Sequence, residues 1–364
     1  MSVGYMFTGN PAYLVPLAVT AGLSLGGRIY TILSTLSAGE SLTVERRILG
    51  AKVEGIYSTI ELNIVNMSRI PYYLREVKDS PPPLLEAEIV SRDVEVPPRG
   101  TASISYRVKG RLGRWCFGGV SAKIYDPLGF SRHDVKLKVS KDDCFTFTPR
   151  LLVVEPLKSR VLGGLAAAAG KGVLSRGEGI DYYSFRDYQP GDDPRFIEWK
   201  ISSRRGSLVV KETASEGRGS TVSIIVASKK EDWIPWKSEE TEYELAARTA
   251  YNLFAAAIAS GISASLIVTG EKGIVKVRDL VSAGEVLAEA SLPGEKEAPA
   301  RALEAVSEAE GFTIIVTTLD GKFLPERVEP KVLVVSTKEW GDYVVRRDRD
   351  IISLVRELSS ENRE

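Results

Sequence analysis

The fourteen residues DYQPGDDPRFIEWK, Asp187 to Lys200, hold four carboxylates, two cations, two prolines, a glycine and three aromatic rings. Two kinds of chemistry suit that mixture. Asp192, Asp193, Glu198 and Lys200 approximate the acid, acid-x-lysine order with which metal-dependent nucleases hold Mg²⁺ and position the attacking water. Only four residues separate Asp193 from Glu198, however, whereas such sites draw their two acids from separate strands. The other chemistry is a latch of ion pairs. From Arg176 to Glu212 there are seven cations and seven anions, so no basic surplus is left for phosphates. Balance favours arginine forks on neighbouring carboxylates, with Tyr188, Phe196 and Trp199 as apolar cover.

Other chemistries are excluded more simply. Lys plus Arg equals Asp plus Glu at 48 each, so no overall field draws in nucleic acid. The tract from Gly163 to Gly179 nearly spells a phosphate loop, but Gly164 is one place too far from Gly170, and Gly172 stands where the hydroxyl is needed. No cofactor is expected. Cys116, Cys144 and the single histidine, His133, are too few for a structural zinc site or a disulfide framework; the cysteines read as buried strand residues. Five Asn and one Gln among many charged residues lean towards a thermophile.

These residues need elements to place them. Ser2 to Gly27 carries no charge, and a tilted membrane span from about Pro11 to Tyr30 fits, with Tyr13 and Tyr30 as interface anchors. Arg28, Arg46, Arg47 and Lys52 follow it, which places the rest of the chain in the cytoplasm. From Leu42 to about Val154, short alternating runs such as Ile60, Leu62, Ile64 read as a small β-sandwich, with DPLG at 126–129 as a hairpin corner. "LLVVEP" (151–156) reads as its last strand. After Gly219, four continuous apolar runs (TVSIIVA, ASLIVT, FTIIVTT, KVLVVST) alternate with helical segments at 241–260, 298–309 and 348–358. That is a doubly wound α/β domain, whose ligands sit at the carboxyl ends of the strands.

The stretch from Gly179 to Glu212 resembles the signature of domain-of-unknown-function family 58. Gly179, Arg186, Asp187, Tyr188, Pro190, Gly191, Asp192, Arg195, Glu198, Trp199, Arg204 and Glu212 occupy its places, with Asp193 completing Pro-Gly-Asp-Asp. The resemblance implies a multidomain α+β chain: a membrane segment (1–39), an Ig-like β-sandwich (40–155), a linker with the signature (156–216), and a von Willebrand factor A-like α/β domain (217–364). Relatives usually have two membrane helices; this chain has room for one and a stub. The resemblance further implies a membrane-bound, non-enzymatic partner of a MoxR-type AAA+ ATPase in assembly or maturation. Some such α/β domains carry a metal-dependent adhesion site opening with Asp-x-Ser-x-Ser. Here Ala227-Ser228-Lys229-Lys230-Glu231 replaces it, leaving Ser228, Thr241 and Asp320 as a degenerate remnant expected to hold no metal.

Overall fold

The computed structural model describes residues 14–88, 91–126, 129, 131–140, 143–157, 182–187, 202, 209–213, 221–233, 239–321 and 332–359. The chain divides into two compact units, Met1–Thr148 and Pro149–Glu364.

The first unit opens with one helix, α1 (Leu14–Ser41). It is long and apolar enough to cross a membrane. The expected stub is its continuation, not a second helix. That lower half packs on the β-strands instead of lying free: Thr31, Ser34 and Ala38 are buried. Thr31 Oγ1 lies 3.0 Å from Ser131 Oγ, and the Tyr72 hydroxyl meets Ser37 and Ser41 at 2.9 Å. The Tyr30 hydroxyl donates to the Pro71 carbonyl at 3.4 Å.

Strands follow without a linker: β1 (Leu42–Leu49), β2 (Tyr57–Asn66), β3 (Tyr72–Lys78), β4 (Glu86–Ala87), β5 (Arg92–Val96), β6 (Thr101–Lys109), β7 (Gly113–Cys116), β8 (Val120–Tyr125), β9 (Arg132–Val139) and β10 (Cys144–Phe147). Eight form a sheet in the order β4-β6-β2-β1-β9-β8-β3-β5. Its midpoint is a parallel β1–β9 pairing of only two residue pairs, Thr43↔Lys138 and Val44↔Val139. The sheet folds over at that joint, and both halves contribute to one core: Ile60, Leu62, Ile64 and Val108 from one, Tyr72, Leu74, Ile124 and Leu137 from the other. Alternation along β2 buries one face as its sequence requires. The DPLG corner joins β8 to β9, with Gly129 at φ +75° donating to the Asp126 carbonyl at 2.9 Å.

Cys116 and Cys144 are not thiols. They face each other across β7 and β10 and form a disulfide. Composition allowed either state, and only the pairing of two short strands 28 residues apart brings the sulfurs together. The residues next to them, Phe117 and Asp143, close over a buried arginine. Arg46, whose side chain is fully buried, forks onto Asp79 (3.0 and 2.5 Å), pairs with Asp143, and donates to the Gly118 carbonyl at 2.9 Å. Its guanidinium lies 5.0 Å from the Phe117 ring centre. The Tyr106 hydroxyl completes Asp79 at 2.6 Å. Burial and the neighbouring Asp79 carboxylate push that phenol well above its ordinary range.

The second unit contains a short antiparallel pair, β11 (Tyr182–Asp187) with β12 (Val209–Thr213), and a six-stranded sheet. The sheet strands are β13 (Thr221–Ala227), β14 (Ser263–Gly270), β15 (Gly273–Val277), β16 (Phe312–Thr317), β17 (Val332–Ser336) and β18 (Tyr343–Val344). Their order is β15-β14-β13-β16-β17-β18, parallel throughout except β15. Among the described residues, α2 (Glu242–Ala259), α3 (Leu280–Ala288) and α4 (Ala298–Ser307) connect strands, and α5 (Asp348–Ser359) follows the last one. Ala298, Ala302 and Ala305 of α4 cover Ile225, Ile267 and Ile315 on one face of the sheet. The alternate residues Ile224, Leu266 and Ile314 point to the other face, where the stripe Ala246, Ala250, Phe254, Ala257 of α2 is fully buried. α3 and β15 have no counterpart in the four apolar runs. Nor is 151–156 a strand of the β-unit. It belongs to the second unit, where the Asn252 side chain takes the Leu152 N–H at 2.7 Å and gives to the Arg150 carbonyl at 3.0 Å.

Candidate functional site

The carboxyl ends of β13, β16 and β17 meet the start of α2, and charged residues gather there. After β13 the chain passes Ser228 and Lys229 into a 3-10 turn, Lys230–Trp233, held by the Lys230 N–H on the Pro293 carbonyl at 2.8 Å. That turn presents Asp232, which accepts the Thr318 hydroxyl at 2.5 Å. Beyond β16, Asp320 lies 3.3 Å from the Lys338 ammonium, which follows β17; Glu242, at the start of α2, lies 3.9 Å from the same ammonium. Lys229 pairs outward with Glu295 at 2.7 Å. Trp340 roofs Gly321 and donates to the Leu319 carbonyl at 2.8 Å.

The electrostatics are those of a half-sheltered acidic bowl with a lysine in its midst. Burial raises the Asp232 carboxyl above its usual range, against the opposing pull of the Thr318 hydroxyl, Lys338 and Lys229. Burial likewise raises Glu242, countered by Lys338 and reinforced by Asp232. Lys229 is pushed up by its hydrogen bond to Glu295. Two hydroxyls there are left over: Ser228 Oγ and Thr337 Oγ1 are buried with no hydrogen-bond partner among the described residues.

Thr241 is committed elsewhere. It caps α2, accepting the Glu244 N–H at 3.2 Å while Glu244 Oε2 accepts the Thr241 N–H at 2.7 Å. This reciprocal box satisfies two amides that a helix start would otherwise leave open. The sequence Thr241-Glu-Tyr-Glu244 already spells it. Of the remnant residues, then, Ala227 ends β13 inside the core, Thr241 serves its helix, and Asp320 faces Lys338. No three His, Cys, Asp or Glu side chains converge as metal ligands among the described residues.

The central signature is less fully placed. Arg186 and Asp187 lie in β11, opposite Val210 and Val209, and Glu212 lies in β12 opposite Ser184. Ser202 packs beside β12, its hydroxyl accepting the Val209 N–H at 2.9 Å. Gly179, Tyr188, Pro190, Gly191, Asp192, Asp193, Arg195, Glu198, Trp199, Lys200 and Arg204 lie outside the described residues. So does the Gly163–Gly179 tract.

A second charged cluster went unforeseen in the sequence. Asp348, at the start of α5, receives Arg150 at 2.5 Å and Arg248 at 2.6 Å, and Arg248 also reaches Glu240 at 2.5 Å. It fastens the start of the second unit to α2 and α5. Asp348 stands 198 residues from Arg150 and 100 from Arg248 along the chain, and no local pattern announces those two pairs.

No curated protein sequence matches the chain. Among solved structures, BslA, a bacterial hydrophobin, aligns at 13% identity over 30% of this chain and 95% of its own, with a TM-score of 0.18. A GH20 exo-β-N-acetylglucosaminidase from Vibrio harveyi aligns at 10% identity over 59% of this chain and 37% of its own, TM-score 0.23. A FixG-related protein from Vibrio parahaemolyticus aligns at 12% identity over 29% and 93%, TM-score 0.16. Likenesses this weak carry no conclusion about chemistry. The family comparison is specific: residues 184–279, from within β11 through β13 and α2 to β15, match the family described as "Protein of unknown function DUF58". That match, over about a quarter of the chain, supports its being a DUF58 family protein.

Proposed function

We propose that the chain is a membrane-anchored interaction protein without catalysis of its own, whose α/β unit engages a protein partner at the carboxyl ends of its parallel strands. The carrying observation is the Lys338 ammonium within 3.3 Å of Asp320 and 3.9 Å of Glu242. A fixed lysine there neutralises the acids and repels a dication, so recognition rests on the side chains themselves. The strand order, with only its third strand in sequence antiparallel, supports a von Willebrand factor A-like reading of this unit. The folded eight-stranded sheet supports an Ig-like reading of the other.

The partner expected from the family resemblance is a MoxR-type AAA+ ATPase acting in assembly or maturation. α1 is the anchor, and the cations on its carboxyl side favour a cytoplasmic location for both units. A disulfide is compatible with that compartment in a hyperthermophile, whose intracellular proteins carry them.

Pull-down of the full chain from its native membrane, in magnesium and in chelator, tests the reading. The same partner is expected in both, with binding weakened about tenfold or more by Lys338→Glu. Loss of the partner in chelator, or stoichiometric Mg²⁺ uptake abolished by Asp320→Ala, would overturn it in favour of metal-dependent adhesion.

A further inference from the structure

The end of the β-unit from which α1 emerges is built unlike its other surfaces. Three observations fix which loops lie there. Gly27 sits against Asp126, where an added Cβ would come within 3.2 Å of the carboxylate. Thr31 meets Ser131 at 3.0 Å, and Tyr30 meets Pro71. Tyr72 pairs with Val96 across β3 and β5, so Pro97–Gly100 projects from the same end. The two loops are tied together: the Arg99 N–H donates to the Ser68 carbonyl at 3.0 Å, and the Asn66 amide bridges the Ile70 and Pro97 carbonyls at 2.8 and 2.9 Å.

This rim carries Arg28, Arg69 and Arg99, all exposed and none with an acidic partner among the described residues. One acid at the rim, Asp126, is turned inward, 3% exposed and accepting the Ser131 N–H. Between the arginines stand apolar side chains in the open: Met67 at 68%, Ile70 at 40% and Ile29 at 58% exposure. Arg99 holds a left-handed φ of +51° at its loop tip, a conformation that costs a non-glycine residue energy and is retained where the tip has a role.

We propose that this rim is a lipid-contact surface: Arg28, Arg69 and Arg99 engage anionic headgroups while Met67 and Ile70 enter the interface, seating the β-unit on the bilayer that α1 enters. The inference rests on the reading of α1 as a membrane anchor. Unpaired arginines beside an apolar cluster, at the level where an uncharged helix leaves the unit, match the charge and polarity profile of such an interface. Each arginine near an anionic surface contributes roughly fivefold to partitioning, so three contribute on the order of a hundredfold.

The full chain is reconstituted in vesicles of neutral phosphatidylcholine or of phosphatidylcholine with phosphatidylglycerol. An environment-sensitive fluorophore is placed at Met67→Cys or, as control, at Lys138→Cys six residues along β9 from the rim. At position 67 a headgroup-located quencher is expected to act in the anionic vesicles, with the effect lost in high salt and in the R28Q/R69Q/R99Q variant. Position 138 should stay solvent-like throughout. Co-flotation of the protein with vesicles after carbonate washing reports the anchor separately. Protein that does not float sinks the anchor and the surface together. Protein that floats while position 67 stays solvent-like, or is protected in proportion to protein density regardless of lipid charge, overturns the lipid surface alone; the density-dependent result would assign the rim to a second copy of the chain.

Discussion

The two units each gather opposite charges around a basic side chain, and they do so in opposite ways. In the β-unit, Arg46 is sealed: both carboxylates are nearly buried, the fork is bidentate, and a phenol, a carbonyl and an aromatic ring fill the remaining directions. In the α/β unit, Lys338 keeps looser distances to Asp320 and Glu242, both open to water, and burial holds Glu242 and the neighbouring Asp232 above their ordinary range. A saturated cluster has no capacity left for a ligand. The open one retains unspent charge, at the end of a parallel sheet where ligands bind. The contrast teaches that the number of charges in a cluster says little; how many of their bonding directions are used separates fastening from recognition.

That contrast can be broken at several points. The largest effect is expected for Arg46→Ala, which strands Asp79 and Asp143 in the core and should cost about 3 to 5 kcal/mol, read as a fall in melting temperature of the β-unit. Lys338→Ala should change stability by less than about 1 kcal/mol, as for exposed pairs. Equal losses in the two variants would dissolve the distinction. Next comes reduction of the Cys116–Cys144 disulfide. Opening a loop of 28 residues should remove about 3.6 kcal/mol on the chain-entropy model. Because Phe117 and Asp143 adjoin the sulfurs, the loss should combine non-additively with Arg46→Ala in a double-mutant comparison. Thr241→Ala should cost about 1 kcal/mol by removing the cap of α2; chemical denaturation of the α/β unit measures it.

The smallest effect is in pH dependence, and its sign differs between the strand-end acids of the α/β unit and the paired surface acids of the β-unit. Asp232 and Glu242 have raised folded-state values, so the stability they contribute is present below their unfolded values and lost as pH rises through the folded ones. Glu76 and Glu88 of the β-unit are lowered, by Lys123 and Arg107 respectively, so their contribution is present above the unfolded values and lost as pH falls through the folded ones. Mild acidification should therefore favour the strand-end cluster of the α/β unit while weakening the Glu76 and Glu88 pairs of the β-unit. Asp232→Asn with Glu242→Gln should flatten its share of the trend in a calorimetric pH series.

Local periodicity made most elements legible. Ile60, Leu62 and Ile64 announce a half-buried strand, and TVSIIVA and FTIIVTT announce covered ones, because burial geometry repeats along the chain. β15 escaped because GIVKV is short and half exposed, and α3 because its LVSAGEVLA reads equally as a buried strand. What joins distant residues was illegible. Arg46 finds Asp79 and Asp143 at separations of 33 and 97 residues, and Arg150 finds Asp348 at 198. For the site, the degenerate stretch from Ala227 to Glu231 was visible, yet the lysine among the acids is Lys338, a residue whose sequence neighbourhood gives no hint of it. The cysteines misled because two thiols in strands look the same whether or not the strands pair.

The absence of any linker between Ser41, the last residue of α1, and Leu42, the first of β1, has a mechanical consequence. Helix and strand advance in the same sense beside β9, and β1 is held by β2 over eight residue pairs, Leu42↔Asn66 through Leu49↔Thr59. A pull along the helix axis therefore loads those hydrogen bonds lengthwise and together, in shear, instead of peeling them one at a time. Tension entering through the anchor would be carried into the middle of the folded sheet, which makes α1 a towing point for the β-unit as well as a tether.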